Sequence, residues 1–371
     1  MLQFINYFLN GLSLGCIYAL IAVGYTMVYG IIKLINFAHG EFYMFGAFVG
    51  YFALVAMGGD ANGHDLGYLA LLGAMLCGGL GSGMLSLIVE RLVYRPLRKS
   101  GRIVALLAAL GVSLFLQNSA QQTVGAKDRT FIHTISSERY PRWALKPDDL
   151  HADQIAESDI AVVFTREADS GKITLVENIA TRGNKIEAPA LARMNEILKS
   201  ESSGATVYGY PAVTVSNAQG LIVLALLLTT LALYVLVQRT RFGRAMRAVS
   251  HDFEAASLMG INVDRVVAGT FFVGAVVAGF GGTLAGGMYY NQVGPLMGLM
   301  PGLKAFVAAV FGGIGSIPGA LLGGVMLGIS EKLVEAYFSS LYSDAFTFSI
   351  LILVLLVRPS GLLGRPGTDK V

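Results

Sequence analysis

Cysteine, tryptophan and formal charge are all scarce in this sequence. Its 371 residues hold two Cys, one Trp and 14% charged side chains. Cys16 and Cys77 both fall in apolar runs, where a thiol serves as a small packing residue, so neither a disulfide framework nor a metal site is expected. "DSGKIT" resembles part of a phosphate loop, but Arg166 stands five residues before Gly171, where the G-x-x-x-x-G-K-[ST] pattern needs glycine. No H-E-x-x-H helix or Cys-rich cluster occurs, and no nucleophile elbow is expected, so the chain reads as a non-enzyme without a cofactor that does not bind ATP itself. A net charge of +3 is too small to point to nucleic acid.

Grease is what the sequence has in quantity, with 54% hydrophobic residues. Uncharged runs cover Met1 to Ile32, Leu66 to Val89, Ile103 to Ala126, Ser202 to Gln238, Val266 to Leu303 and Ala305 to Ser330. Each reaches the roughly 20 residues that a hydrocarbon core of about 30 Å requires. The first run is expected to stay in the membrane, since no basic residue precedes it and no small-residue cleavage site leads into a soluble domain. Forty-six glycines, as in "CGGLGSGMLS" and "GAVVAGFGGTLAGG", suit helices packed closely through small residues. The fold expected is an all-α polytopic membrane protein of about eight to ten transmembrane or half-membrane helices, with a small α+β extracytoplasmic insertion.

Basic residues fix the expected topology. "ERLVYRPLRKSGR", the stretch carrying Arg239, Arg241, Arg244 and Arg247, and the tail "RPSGLLGRPGTDKV" are short basic segments of the kind retained in the cytoplasm. Counting back puts the N-terminus outside, spans near 37–56 and 66–89, and Lys33 at the inner end of the first span. Spans at about 103–118 and 219–237 leave 121–216 outside. A span at 266–286 and a last one at about 341–357, with a cytoplasmic tail, require 301–330 to cross an even number of times. Two shorter helical segments broken at "GGIGSIPG" meet that count, with Lys304 and Glu331 on the same outer side. The boundaries expected are 1–120, 121–216, 217–238, 239–264, 265–357 and 358–371.

The outside insertion is different material. "AVVFT" and "KITLV" are β-rich and "EADSG" supplies a turn, while "APALARMNEILKS" reads as a short helix. Such a lobe either caps the outer mouth, touches an outside partner, or is a solvated ornament.

Polar groups in the apolar chain are the candidates for a translocation path. Asn36, His39 and Glu41 stand at the start of the second span, where Asn36 could instead cap the helix and Glu41 favour its first turn. Gly312, Gly313, Gly315 and Pro318 mark the break, and broken helices line aqueous cavities. "AMRAVSHDFEAASLMGINVDRV" is the other candidate. As one helix it carries a narrow stripe of Met246, Val249, Phe253 and Ala256, with Arg244, Arg247, Asp252, Glu254, Ala255 and a terminal Gly260 around it, suited to docking in another protein's groove.

That E-A-A-x-x-x-G arrangement resembles the coupling segment of bacterial ABC importer permeases. "NGLSLGCIYALIAVGYTMVYGIIKLINFAHGEFYMFGAF", "GLKAFVAAVFGGIGSIPGALLGGVMLGISE" and "LILVLLVRPSGLLGRP" are similar to high-affinity branched-chain amino acid permeases of the LivH type, whereas the insertion looks longer than usual there. The resemblance implies one of two unlike permease subunits, two cytoplasmic ATP-binding subunits, a periplasmic substrate-binding protein, and a multi-pass place in the bacterial inner membrane among lipid. It leaves open relatives that carry urea or short amides. A free-standing secondary transporter or channel would need buried carboxylates for a coupling ion, and past Glu41 the apolar runs hold almost none.

Overall fold

A computed structural model describes residues 2–33, 36–59, 67–98, 100–131, 160–166, 173–177, 206–211, 217–358 and 360–364. The expected helix "APALARMNEILKS" and the turn "EADSG" lie outside them. Helices dominate: α1 (Leu2–Ile32), α2 (His39–Ala56), α3 (Gly67–Val89, continued by a π turn at Glu90–Tyr94 to Leu97) and α4 (Arg102–Val124) precede the insertion. After it come α5 (Asn217–Arg239), α6 (Arg241–His251), α7 (Phe253–Leu258), α8 (Val263–Leu284, with a π turn at Ala285–Tyr289), α9 (Leu299–Gly312), α10 (Ile317–Tyr337) and α11 (Ser343–Val357). Among the described residues seven helical stretches are long and apolar enough to cross a membrane. Helix α2, where a span is expected near 37–56, and helix α9 are not among them. The 14 residues of α9 rise about 21 Å, short of a full hydrocarbon core.

The insertion contributes a three-stranded antiparallel sheet in the order β3-β2-β4, with β2 at Ile160–Arg166, β3 at Ile173–Glu177 and β4 at Thr206–Pro211. Arg166 pairs with Ile173 and Phe164 with Leu175 across the hairpin. It forms a unit of its own. The two expected strands are there; β4 is an addition that the sequence reading passed over, although "TVYGYP" carries β-branched and aromatic residues.

The helical unit is built on close backbone approach. Along α2, α3 and α8, Gly46, Gly78 and Gly279 stack against one another, and a Cβ on Gly282 would run into the Tyr43 carbonyl. Such contacts let dispersion act over the full helix length where no hydrophobic drive separates helix from lipid. Helix α1 runs antiparallel to α10, with Gly15 against Val325 and Gly11 against Ile329, and its buried Ile17, Leu20 and Ile21 centre the core. The outer faces of α3, α4, α5 and α11 are apolar and exposed, for instance Leu69, Leu107, Leu228 and Leu356.

One end of the helical unit collects the basic loops. Asp264, in the first turn of α8, pairs with Arg95 and Arg98 from the end of α3, and Arg98 also pairs with the buried Glu90. At the far end a short antiparallel pair joins β1 (Arg129–Thr130) to β5 (Gln292–Val293), over the buried ring of Phe131.

Candidate functional site

The charged segment is two helices, not the single one expected. Asp252 adopts extended backbone with φ −154°, ends α6, and caps α7 by accepting the Glu254 and Ala255 N–H groups at 2.9 and 3.0 Å. Aspartate gains more as a cap than inside a helix. The expected stripe is thereby broken. Met246, Val249 and Ala256 are buried against the chain's own core, while Phe253 is exposed. The apolar surface that the segment offers is instead Leu258 and Met259, 88% and 82% exposed. They are held out by a Schellman end, in which Ile261 N–H bonds the Ala256 carbonyl and Gly260 N–H that of Ser257. Gly260 takes φ +83°, a conformation that glycine adopts without penalty. Arg244, Arg247, Glu254 and Ala255 are exposed beside it.

The second group gathers at the start of α2. Asn36 does not cap it directly: the N-cap is Ala38, and Asn36 forms an Asx turn two residues earlier, its Oδ1 accepting the Ala38 N–H at 3.1 Å and the Tyr94 hydroxyl at 2.6 Å. His39 is buried against Tyr25, with ring centroids 4.6 Å apart. Glu41 is buried and accepts bonds from Ser113 at 2.9 Å and Gln117 at 2.7 Å, both on α4. A buried carboxylate is tolerable only with such donors. Its Oε2 lacks a partner among the described residues.

The third group is the break. It is shorter than "GGIGSIPG": Gly312 closes α9, Gly313 and Gly315 turn with φ +108° and +95°, and Pro318 and Gly319 already belong to the first turn of α10, capped by Ser316. Proline belongs in a first turn, where its missing N–H costs nothing. The C-terminal segment folds back here. Leu362 and Leu363 donate their N–H groups to the carbonyls of Phe311 and Gly312, each at 2.9 Å. Phe306 of α9 stacks toward Tyr25 and Phe37, at 6.2 and 5.7 Å, which ties α9 to the aromatic ring packed on His39.

Two features escaped the sequence reading. Lys304, Glu331 and Asp344 form an ion network across α9, α10 and α11, with Lys304 Nζ at 2.6 Å from Glu331 and 2.7 Å from Asp344. The other is an open cavity of about 340 Å3 lined by Asp128, Tyr290, Gln292, Leu296, Met297 and Met300. The only signal for the cavity was "NQVGPLMG", an irregular stretch inside a run read as apolar. A G-x-S-x-G pattern does occur at Gly11 to Gly15, but it lies inside α1, with the Ser13 hydroxyl bonded to the Leu9 carbonyl at 3.0 Å, so no strand-to-helix elbow exists there.

Comparison with known proteins adds an independent line. The family described as Branched-chain amino acid transport system / permease component matches residues 7–144 and 177–355. The unmatched stretch 145–176 falls within the insertion. The chain is 38% identical over 370 residues to the high-affinity branched-chain amino acid transport system permease protein LivH of Escherichia coli strain K12, covering 100% of this chain and 98% of that protein. It is 34% identical over 369 residues to the BraD permease protein of Pseudomonas aeruginosa, again covering 100% of this chain and 98% of the relative. To LivM of Escherichia coli strain K12 it is 33% identical over 147 residues, 38% of this chain and 34% of that protein. No solved structure matches the chain.

Proposed function

The chain belongs to the family of branched-chain amino acid transport permease components, and on that premise we propose that it forms one half of a translocation path for branched-chain or related hydrophobic amino acids across a bacterial inner membrane. A LivM-like permease subunit supplies the other half. Two cytoplasmic ATP-binding subunits drive the cycle, and a periplasmic binding protein delivers the substrate. The N-terminus faces the periplasm and the tail the cytoplasm, which puts the Arg95–Asp264 cluster, α6, α7 and the Gly313 break inside, and Lys304 with Glu331 toward the outside. Asn36, His39, Glu41 and the break glycines border the path.

The observation that carries this reading is the pairing of a full-length family match with a preformed, capped α6–α7 unit whose Leu258–Met259 tip is exposed where a polytopic protein has no lipid reason to expose it. That tip, with Arg244, Arg247, Asp252, Phe253, Glu254, Ala255, Ala256 and Gly260, is the docking unit for the ATP-binding subunit. The insertion aids delivery from the binding protein.

Copurification from native membranes, followed by mass spectrometry, tests the partners. Reconstitution of that complex with labelled leucine, urea and a short amide tests the cargo; uptake of urea alone would refute the amino acid assignment. Glu254→Arg or Gly260→Trp should abolish ATP-driven uptake in a well-inserted protein, and normal uptake would place coupling elsewhere. Replacing 155–201 with a short Gly/Ser linker should raise the substrate concentration for half-maximal uptake; no change would leave the lobe without a role in delivery.

A further inference from the structure

The 340 Å3 cavity is walled by two parts of the chain that lie far apart in sequence. Asp128 comes from the link between α4 and β1, whereas Leu296, Met297 and Met300 come from the segment between β5 and α9 and from the first turn of that helix. Sites for small molecules run from about 300 to 1,000 Å3, so the space suits one small ligand. Among the described residues on its wall, Asp128 alone bears a formal charge.

That carboxylate is held in place from both sides. β1 pairs with β5, and the Phe131 N–H bonds the Asn291 carbonyl at 2.9 Å. Arg129 donates to the Val124 carbonyl at 2.6 Å, at the end of α4. Between these anchors Asp128 Oδ1 sits so close over Gly294 that a Cβ there would run into it. A charged group fixed by such supports makes a more precise site than one on a free loop. No ion pair among the described residues uses the Asp128 carboxylate, and the residue is exposed. Leu296 and Met300, on the same cavity wall, are 54% and 47% exposed.

The wall chemistry excludes two ligand classes. A divalent metal takes several oxygen ligands, and no group of three or more His, Cys, Asp or Glu able to hold one occurs among the described residues. An anion meets charge of its own sign. A small cationic head with an apolar tail satisfies both halves of the wall. We propose that the cavity receives a hydrophobic amino acid by its ammonium and side chain: Asp128 accepts the ammonium, Leu296, Met297 and Met300 cover the side chain, and the substrate carboxylate stays hydrated at the open mouth. Flexible thioethers fit branched side chains of differing shape. Recognition therefore follows the ammonium and the tail, not the carboxylate.

The inference rests on the amino acid reading of the cargo, and the test separates the two. A diazirine analogue of leucine is photo-crosslinked to the reconstituted permease–ATPase complex with the binding protein withheld, and the labelled residues are mapped by mass spectrometry. Label should fall within 296–300. Leucine and isoamylamine should suppress it at concentrations at least three-fold lower than isocaproate, the effect expected of one exposed ion pair. Asp128→Asn, which is isosteric, and Gly294→Ala, which keeps the charge but displaces it, should each lower that labelling at least three-fold in complexes that elute like the parent on gel filtration. The parent's competition series needs no variant and decides the matter if both variants disassemble. Suppression by isocaproate as strong as by leucine, or undiminished labelling of a properly assembled Asp128→Asn complex, overturns the proposal. Leucine uptake on addition of the binding protein, with no label at 296–300, overturns this station alone. Absence of leucine uptake overturns the cargo reading: label at 296–300 that amines displace would then still support the station, and its absence would overturn both.

Discussion

The Leu363 N–H donates to the Gly312 carbonyl at 2.9 Å, so the end of the chain completes a helix formed fifty residues earlier. The last carbonyls of a helix have no partner within it, and the tail provides two donors. Gly361 sits at φ +72° against Gly313, which no β-branched side chain accepts. Gly361→Val should cost about 1–3 kcal/mol in strain alone. The expected result is a lower apparent Tm for the purified complex, together with faster labelling of a cysteine placed at Ser316.

The exposed tip of α7 invites a sharper experiment than its charged neighbours. Leu258→Asp and Met259→Asp alter side chains that touch little of the chain, so insertion and thermal stability should match the parent. ATP hydrolysis stimulated by the binding protein should fall on the order of ten-fold, from the loss of buried apolar area at a small interface. Gly260→Ala tests the mounting rather than the contact, and its positive φ predicts a loss of about 1 kcal/mol.

Glycines in this protein are not equivalent. Gly282→Ala drives a methyl into the Tyr43 carbonyl, whereas Gly220→Ala meets open space. The first should destabilise by about 1–3 kcal/mol through overpacking. The second should be neutral or stabilise by up to about 1 kcal/mol through helix propensity. Thermal unfolding of the two variants side by side makes the comparison.

Glu41 depends on donors from another helix. Gln117→Leu removes its 2.7 Å bond and should cost about 1–3 kcal/mol, because a buried acceptor loses its partner. Asn118→Leu, one residue on, removes only an exposed bond to the Leu114 carbonyl and should cost less than about 0.5 kcal/mol. Equal losses in the two variants would show that α4 does not seal Glu41 by this bond.

Most spans were legible because hydropathy is a strong constraint: the long helices fall on the apolar runs, and the break expected between two shorter segments in 301–330 separates α9 from α10. The polar residues at 36–41 were equally visible, since each is an anomaly in grease. Contacts between helices were not. Nothing in the spacing of Glu41, Ser113 and Gln117 announces that they meet, or that Lys304 bonds a residue twenty-seven positions away. The α6–α7 break was readable in principle, because Asp252 precedes "FEAA" as a cap would, but the apolar periodicity running across it outweighed that single residue.

The Asp264 fork has a mechanical consequence. Two arginines at the end of α3 grip the first turn of α8, and α8 then runs unbroken for 22 residues, about 33 Å, before its π turn and β5. That makes it a stiff rod held at its first turn, and the π turn at Ala285–Tyr289, where helix geometry is weakest, separates it from Gln292 on the cavity wall.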